Sequence, residues 1–335
     1  MSNSKAQPDL FAPEHSTAKA SSSVGPAMVS AEVAALAAKL PAQVFLGTSS
    51  WYFPGWRDIV WDCTPDQKTL AREGLRAYAQ HPLLRSVGID RTYYAPLPAS
   101  EFARYAEQIP DGFKALVKAP SAITTPEPLA SKSSAQKRYK DHFFDADFAI
   151  KRYLEPASQG LGSKLGVLLF QFPPLRREFT RDPLAFIRRL REFLQRLPQG
   201  PLYAIELRNP EFFCADYIEA LAASGARHCI GIHPRTPDLA QQLAIVRGLP
   251  RGALVVRWNL NPHSGRGYDE AKELYDPFHR LVDEDPVTRK EIARLCLTQV
   301  HAAQPAFVII NNKAEGSAPL SVIKLANAID QAVQA

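Results

Sequence analysis

The stretch PLYAIELR, residues 201–208, decides the fold and raises the question of function. It starts as an apolar run and ends with two charged residues, Glu206 and Arg208. Side chains two apart in a β-strand point to the same face, so Ile205 and Leu207 face one way and the charges face the other. Charged side chains are seldom fully buried unless they are paired or functional. The stretch therefore predicts a strand whose charged pair points at a polar place inside the protein.

Apolar runs of this kind alternate with amphipathic helical segments along the chain. They cover residues 43–51, 84–90, 113–120, 164–174, 201–208, 227–234, 252–260 and 305–313. Continuous apolar strands that alternate with helices indicate a parallel sheet covered on its outer face. Eight such units predict an α/β fold, a single-domain (β/α)8 TIM barrel over residues 30–335. A doubly wound open sheet is the alternative, but no Gly-rich phosphate turn follows the first strand.

The sequence predicts a disordered N-terminal segment and serine caps for the first and last helices. Residues 1–29 are rich in Ser, Ala and Pro and lack hydrophobic periodicity, which predicts a disordered tail. Ser30 is positioned to cap the first helix and Ser317 to cap the last.

Composition narrows the class of partner. The formal net charge of +6 favours an anionic ligand and does not by itself indicate nucleic-acid binding. The four cysteines form no C-x-x-C motif, which predicts reduced thiols in a cytoplasmic protein. No apolar run approaches the roughly 18 residues of a membrane span, and the N-terminus does not read as a signal peptide. We expect a monomer or homodimer with no membrane partner, and no motif identifies a cofactor.

The C-terminal ends of barrel strands carry the active site in barrel enzymes. In this chain every predicted strand ends in a group that can donate or accept a hydrogen bond or carry charge. The candidate site residues are Trp51, Asp90, Tyr93, Lys118, Gln171, Glu206, Arg208, His233, Arg257, Asn311 and Asn312.

These residue types favour a small anionic ligand, either phosphorylated or carbohydrate-like. Lys118, Arg208 and Arg257 supply positive charge, and arginine forks match carboxylate or phosphate groups. Glu206, Lys118 and Asp90 are the candidate catalytic residues, with Glu206 as general acid or base. The other candidates would contact the ligand.

Several alternatives remain open from the sequence. Glu206 and Arg208 can form a purely structural ion pair, and Lys118 can act as a Schiff-base lysine. Asp90, Glu206 and His233 are enough ligands for a metal, although no metal motif is present. Asp90 and Glu206 would lie three strands apart, which argues against a retaining glycosidase.

Two further classes of function differ from an enzyme. One is a nucleic-acid-associated protein that uses the tail and a basic helix face with Arg188, Arg189, Arg191 and Arg196. The other is a non-catalytic barrel that senses a metabolite. The first would lose affinity steeply with added salt. A turnover assay separates the second from an enzyme.

Several motifs together resemble the YecE-like family, a family of unknown function (domain of unknown function 72) with a TIM-barrel fold. They are GTSSWYFPGW (47–56), VGIDRTYY (87–94), PDGFKALVKAPSAIT (110–124), LGVLLFQFPP (165–174), AIELRNPEFF (204–213) and NNKAEGSA (311–318). The family pattern has a glutamate on the second strand where this chain has Gly88, followed by Asp90. Strand seven keeps Arg257 but lacks the family's His-Gly, and His233 stands where an aspartate is common. The resemblance spans residues 43–330 and implies the barrel and the strand-end residue set, without an established reaction.

Overall fold

The computed structural model describes residues 24–126 and 142–334. Eight parallel strands form a closed barrel in chain order, in which the last strand pairs with the first. The strands are β1 (Val44–Thr48), β2 (Ser86–Ile89), β3 (Lys114–Lys118), β4 (Leu165–Gln171), β5 (Tyr203–Glu206), β6 (Arg227–Ile232), β7 (Leu254–Trp258) and β8 (Ala306–Ile310). The predicted (β/α)8 barrel is therefore confirmed, and each strand lies inside the run that predicted it.

Helices connect the strands and cover the outside of the barrel. They are α1 (Ala31–Lys39), α2 (Gln67–Tyr78), α3 (Ala99–Ala106), α4 (Ser121–Thr124), α5 (Ala146–Ala149), α6 (Glu155–Leu161), α7 (Arg177–Thr180), α8 (Pro183–Gln195), α9 (Ala215–Ser224), α10 (Leu239–Gly248), α11 (Tyr268–Tyr275), α12 (Pro286–His301) and α13 (Ala318–Gln334). A π-helical segment, Ile150–Leu154, joins α5 to α6. Within the described residues, no helix is both long enough and apolar enough to cross a membrane.

The strands separate two apolar cores, as the alternation of strand side chains requires. The outer core packs between the strands and the helices and contains Phe170, Ile205 and Val256. The inner core fills the barrel with Leu116, Val167, Leu169, Ala204, Cys229, Ala253, Val255, Phe307 and Ile309. Near the N-terminal ends of β1 and β8, the rings of Phe45 and Phe307 stack with centroids 4.9 Å apart. Apolar side chains therefore fill the middle of the barrel, and a layer of polar side chains follows at the C-terminal ends of the strands.

The two predicted helix caps have different outcomes. Ser30 caps α1, because its Oγ accepts a hydrogen bond from the Val33 backbone N–H at 3.3 Å. The prediction for Ser317 is wrong: its Oγ has no hydrogen-bond partner among the described residues. The Asn312 side chain accepts from the first N–H of α13, that of Ala318, at 2.8 Å.

The N-terminal segment meets the barrel before residue 30. Residues 1–23 of the predicted tail lie outside the described residues. Pro26 forms an antiparallel bridge with Trp61, and the Ala27 N–H donates to the Val60 carbonyl at 2.9 Å. Part of the predicted tail, at Pro26 and Ala27, therefore pairs with the segment that follows β1.

Candidate functional site

A layer of polar side chains lies directly above the inner core. Lys118, Gln171, Glu206, Arg257 and Asn311 each follow an inner-core residue by two positions, so they point into the barrel at its C-terminal end. Asp90 and Arg208 complete the layer through ion pairs with these residues. We call this set the mouth ring: Asp90, Lys118, Gln171, Glu206, Arg208, Arg257 and Asn311.

Glu206 is the most buried charge of the mouth ring. Its side chain is 0% exposed, and its Oε2 accepts a hydrogen bond from Arg257 at 2.6 Å. Its Oε1 lies 3.4 Å from an Nη atom of Arg208. Burial by itself would raise the pKa of Glu206, but the charges of Arg257 and Arg208 outweigh burial and lower it. Glu206 is therefore an ionised carboxylate with both oxygens in contact with guanidinium groups.

Arg257 joins the two carboxylates of the mouth ring. Its second Nη atom lies 3.3 Å from Asp90 Oδ2, so one guanidinium contacts Glu206 on β5 and Asp90 after β2. Burial opposes its charge, but the two carboxylates more than compensate and raise the pKa of Arg257. A fixed cation therefore contacts both acids, which the sequence placed three strands apart.

A glycine on the intervening strand makes the Glu206–Arg257 contact possible. Gly231 pairs with Arg257 in the β6–β7 register. A Cβ atom at residue 231 would lie 3.3 Å from Glu206 Cγ. Because β6 contributes no side chain here, residues from β5 and β7 can meet above it.

Lys118 is the mouth-ring cation with the fewest contacts. Its Nζ lies 3.8 Å from the centroid of the Tyr93 ring, a cation–π contact. Burial lowers the pKa of Lys118 to about 8, and the nearby charge of Asp90 is the strongest opposing influence. The ammonium makes no hydrogen bond or ion pair within the parts of the chain that the structure describes.

Some of the remaining predicted residues lie at or near the mouth, and others pack elsewhere in the protein. Gln171 pairs with Glu206 in the β4–β5 register and points inward beside it. His233 lies partly buried after β6, where burial and the charge of Arg208 lower its pKa to about 4. The Asn311 side-chain oxygen accepts from the Lys313 backbone N–H at 3.1 Å. With Tyr93, these residues line the mouth.

Trp51 and Asn312 lie elsewhere. Trp51 packs in the outer core, where its indole N–H donates to the Leu70 carbonyl of α2 at 3.1 Å. The Asn312 side chain accepts from the Trp56 indole N–H at 3.2 Å in addition to capping α13. Because packing and hydrogen bonds within the protein engage both side chains, we do not propose either as a ligand contact.

Some residues near the mouth were not chosen from the sequence. Ser49 follows β1 on the inward side of the alternation, and its Oγ is buried. Lys313, three residues beyond β8, is buried and lies 4.2 Å from the centroid of the Tyr268 ring. Burial lowers the pKa of Lys313 to about 8. Alternation alone could have identified Ser49, but the position of Lys313 depends on the turn after β8.

Several polar atoms of the mouth have no hydrogen-bond partner among the described residues. They are Ser49 Oγ, Asp90 Oδ1, Arg208 Nε and Arg257 Nε. Buried polar atoms are normally hydrogen-bonded, so a cluster of exceptions requires an explanation. No group of three His, Cys, Asp or Glu residues able to hold a metal ion occurs within residues 24–126 and 142–334.

The fold and the mouth ring define a (β/α)8-barrel protein with a charged C-terminal mouth. The chain belongs to the family described as protein of unknown function DUF72, whose model matches residues 45–335. This finding confirms the family resemblance seen in the motifs.

Relatives agree with this assignment. The UPF0759 protein YunF of Bacillus subtilis (strain 168) is 23% identical over 288 residues, which cover 82% of this chain and 90% of YunF. A DUF72 family protein of Enterococcus faecalis V583 superposes with a TM-score of 0.57 at 18% identity, covering 85% of this chain and 95% of its own. One from Thermotoga maritima MSB8 gives a TM-score of 0.54 at 19% identity, covering 87% and 99%. At these identities the solved structures support the barrel fold alone.

Proposed function

We propose that the protein binds a small anionic compound, phosphorylated or carbohydrate-like, in the mouth of the barrel and acts on it. The observation that carries this proposal is the cluster of unpartnered polar atoms among the charged groups of the mouth ring. A bound ligand would supply the missing hydrogen bonds.

The charge balance of the ring favours an anion. Asp90 and Glu206 carry two negative charges, whereas Lys118, Arg208 and Arg257 carry three positive ones when Lys118 is protonated. Arg257 is 5% exposed and already committed to both acids. Arg208 is 17% exposed, and its one ion pair among the described residues is the 3.4 Å contact with Glu206, so its guanidinium is the one best able to turn toward a ligand.

The ring also suggests a division of roles. Glu206 holds the two arginines in position. Lys118 and Asp90 are placed for chemistry, because in the described part of the chain the Lys118 Nζ has no ion pair and Asp90 Oδ1 has no hydrogen-bond partner. Tyr93, Gln171, Asn311 and His233 complete the lining of the site. Glu206 was expected to act as general acid or base, and its contacts favour the positioning role.

Anion binding can be measured directly by calorimetric titration with inorganic phosphate and with small carboxylates. We expect Arg208→Met to weaken phosphate binding at least tenfold, because the more exposed guanidinium of the mouth ring is lost. Arg247→Met is the matched control: it removes the same charge from the exposed last turn of α10. Equal phosphate affinity in both variants would contradict the proposal.

The nucleic-acid alternative receives less support from the structure. Arg189 of the basic helix face lies 5.2 Å from the centroid of the Phe143 ring, and Arg196 pairs with Asp147 at 2.9 Å. That face is thus partly occupied by contacts within the protein.

A further inference from the structure

Lys118 differs from every other charged residue of the mouth ring. Asp90, Glu206, Arg208 and Arg257 are all joined by ion pairs. Among the described residues, the Lys118 Nζ forms no ion pair or hydrogen bond, and it lies 3.8 Å from the centroid of the Tyr93 ring. Within residues 24–126 and 142–334, no hydrogen bond of this amine would have to be broken before it reacts.

The surroundings of Lys118 increase the share of its free amine. With a pKa of about 8, roughly 10% of the side chain is neutral at pH 7, against roughly 0.03% for an ordinary lysine. This is an increase of about 300-fold in the nucleophilic form. Desolvation next to other cations is a known way to activate a lysine nucleophile.

We infer that the Lys118 Nζ forms an imine with the carbonyl carbon of an anionic aldehyde or ketone bound in the mouth. This inference rests on the proposed function, because the anionic group of the substrate would be held by Arg208. It narrows the ligand to a compound that carries both an anionic group and a carbonyl group.

The reaction balances with groups that the mouth already contains. The lone pair of the neutral Nζ attacks the carbonyl carbon, and one proton then passes from the nitrogen to the former carbonyl oxygen to give a neutral carbinolamine. Loss of one water molecule then forms the C=N bond, and addition of water reverses the step. Asp90 is the proton carrier, because its Oδ1 has no partner in the described chain while Arg257 contacts its Oδ2.

Lys313 is the alternative candidate for the reactive amine. It has the same lowered pKa of about 8 and a similar contact with an aromatic ring. Its Nζ, however, also lies 3.4 Å from Asn311 Oδ1, to which it donates. We therefore assign the reactive amine to Lys118, and site-specific labelling can tell the two lysines apart.

Pyridoxal 5′-phosphate is a suitable probe because it combines an aldehyde with a phosphate group. The full chain is incubated with a low concentration of this probe, reduced with borohydride and mapped by peptide mass spectrometry. We expect Lys118 to be labelled at least tenfold more than Lys114, and the labelling to rise with pH around a midpoint near 8. Lys114 lies at the other end of β3 and donates to the Ser163 carbonyl, so it is a matched internal control.

Variants make the assignment specific. Lys118→Met and Lys118→Arg should both abolish the preferred label, whereas Lys114→Met should leave it unchanged. Preferred labelling of Lys313, or equal labelling of surface lysines, would overturn the inference.

Phosphate titration separates this inference from the proposed function. If phosphate binds but Lys118 is not labelled, the imine is excluded and anion binding stands. If neither phosphate nor the small carboxylates bind, the proposed function fails, and the imine inference, which depends on a held anion, fails with it.

Discussion

Replacing Glu206 by Gln tests whether the mouth ring depends on its buried carboxylate. The change leaves the shape of the side chain nearly intact but removes the charge that faces Arg257 at 2.6 Å. Arg257 is 5% exposed, and its one remaining ion pair among the described residues would be the 3.3 Å contact with Asp90. Breaking a buried ion pair from one side costs about 3–5 kcal/mol, and we expect about 3 kcal/mol, since the amide oxygen of Gln still accepts one hydrogen bond.

Arg208→Met is the matched comparison for this prediction. Arg208 contacts the same carboxylate, but at 3.4 Å and with its side chain 17% exposed. A partly solvated contact of this length contributes less than about 1 kcal/mol. We therefore expect Glu206→Gln to lower the free energy of unfolding several times more than Arg208→Met.

Urea unfolding followed by tryptophan fluorescence measures both variants, because Trp56, Trp61 and Trp258 are buried in the wild type. The double variant Glu206→Leu with Arg257→Met supplies the second test. Removing both charges should recover most of the lost stability, since neither charge is left buried alone. Equal urea midpoints for Glu206→Gln and Arg208→Met, or a double variant as unstable as the sum of its single changes, would refute this reasoning.

Further predictions concern the frame around the site. Burial lowers the pKa of His228 to about 4, so the unfolded state binds more protons than the folded state between pH 6.5 and 4. The free energy of unfolding should therefore fall by up to about 3 kcal/mol as the pH is lowered from 6.5 to 4. In a pH series of urea midpoints, His228→Gln should flatten this decline. Gly231→Ala adds a Cβ 3.3 Å from Glu206 and should cost about 1–3 kcal/mol in the same assay, whereas unchanged stability would mean that β6 has spare room. Asn312→Ala removes the acceptor for the Trp56 indole N–H and for the first backbone N–H of α13. It should lower the free energy of unfolding by about 1–3 kcal/mol without changing phosphate affinity. A change in phosphate affinity would place Asn312 in the site after all.

The sequence predicted most of the fold because each barrel strand is a continuous apolar run. Alternation within those runs also predicted that Lys118, Glu206 and Arg257 share the barrel interior. It gave no means of ranking partners across the barrel. Arg208, two residues away, was the obvious partner of Glu206, yet the shorter contact is with Arg257, 51 residues later.

Residues beyond the strand ends were harder to place. Once a strand ends, the turn that follows sets the direction of each side chain, and turn geometry is not visible in a pattern of apolar residues. Trp51 and Asn312 turned into the outer packing for this reason, whereas Asp90 reached Arg257. The ion-pair network likewise depends on three-dimensional distances, so the isolation of the Lys118 amine could be recognised only in the folded barrel.

Gly231 constrains how this barrel can change during evolution or design. A larger side chain at position 231 would compete sterically with Glu206 and Arg257 for the same space. A variant that keeps both charges therefore favours the glycine, whereas one that replaces both with smaller apolar side chains has room for a larger residue at position 231. We expect substitutions at positions 206, 231 and 257 to be correlated among relatives.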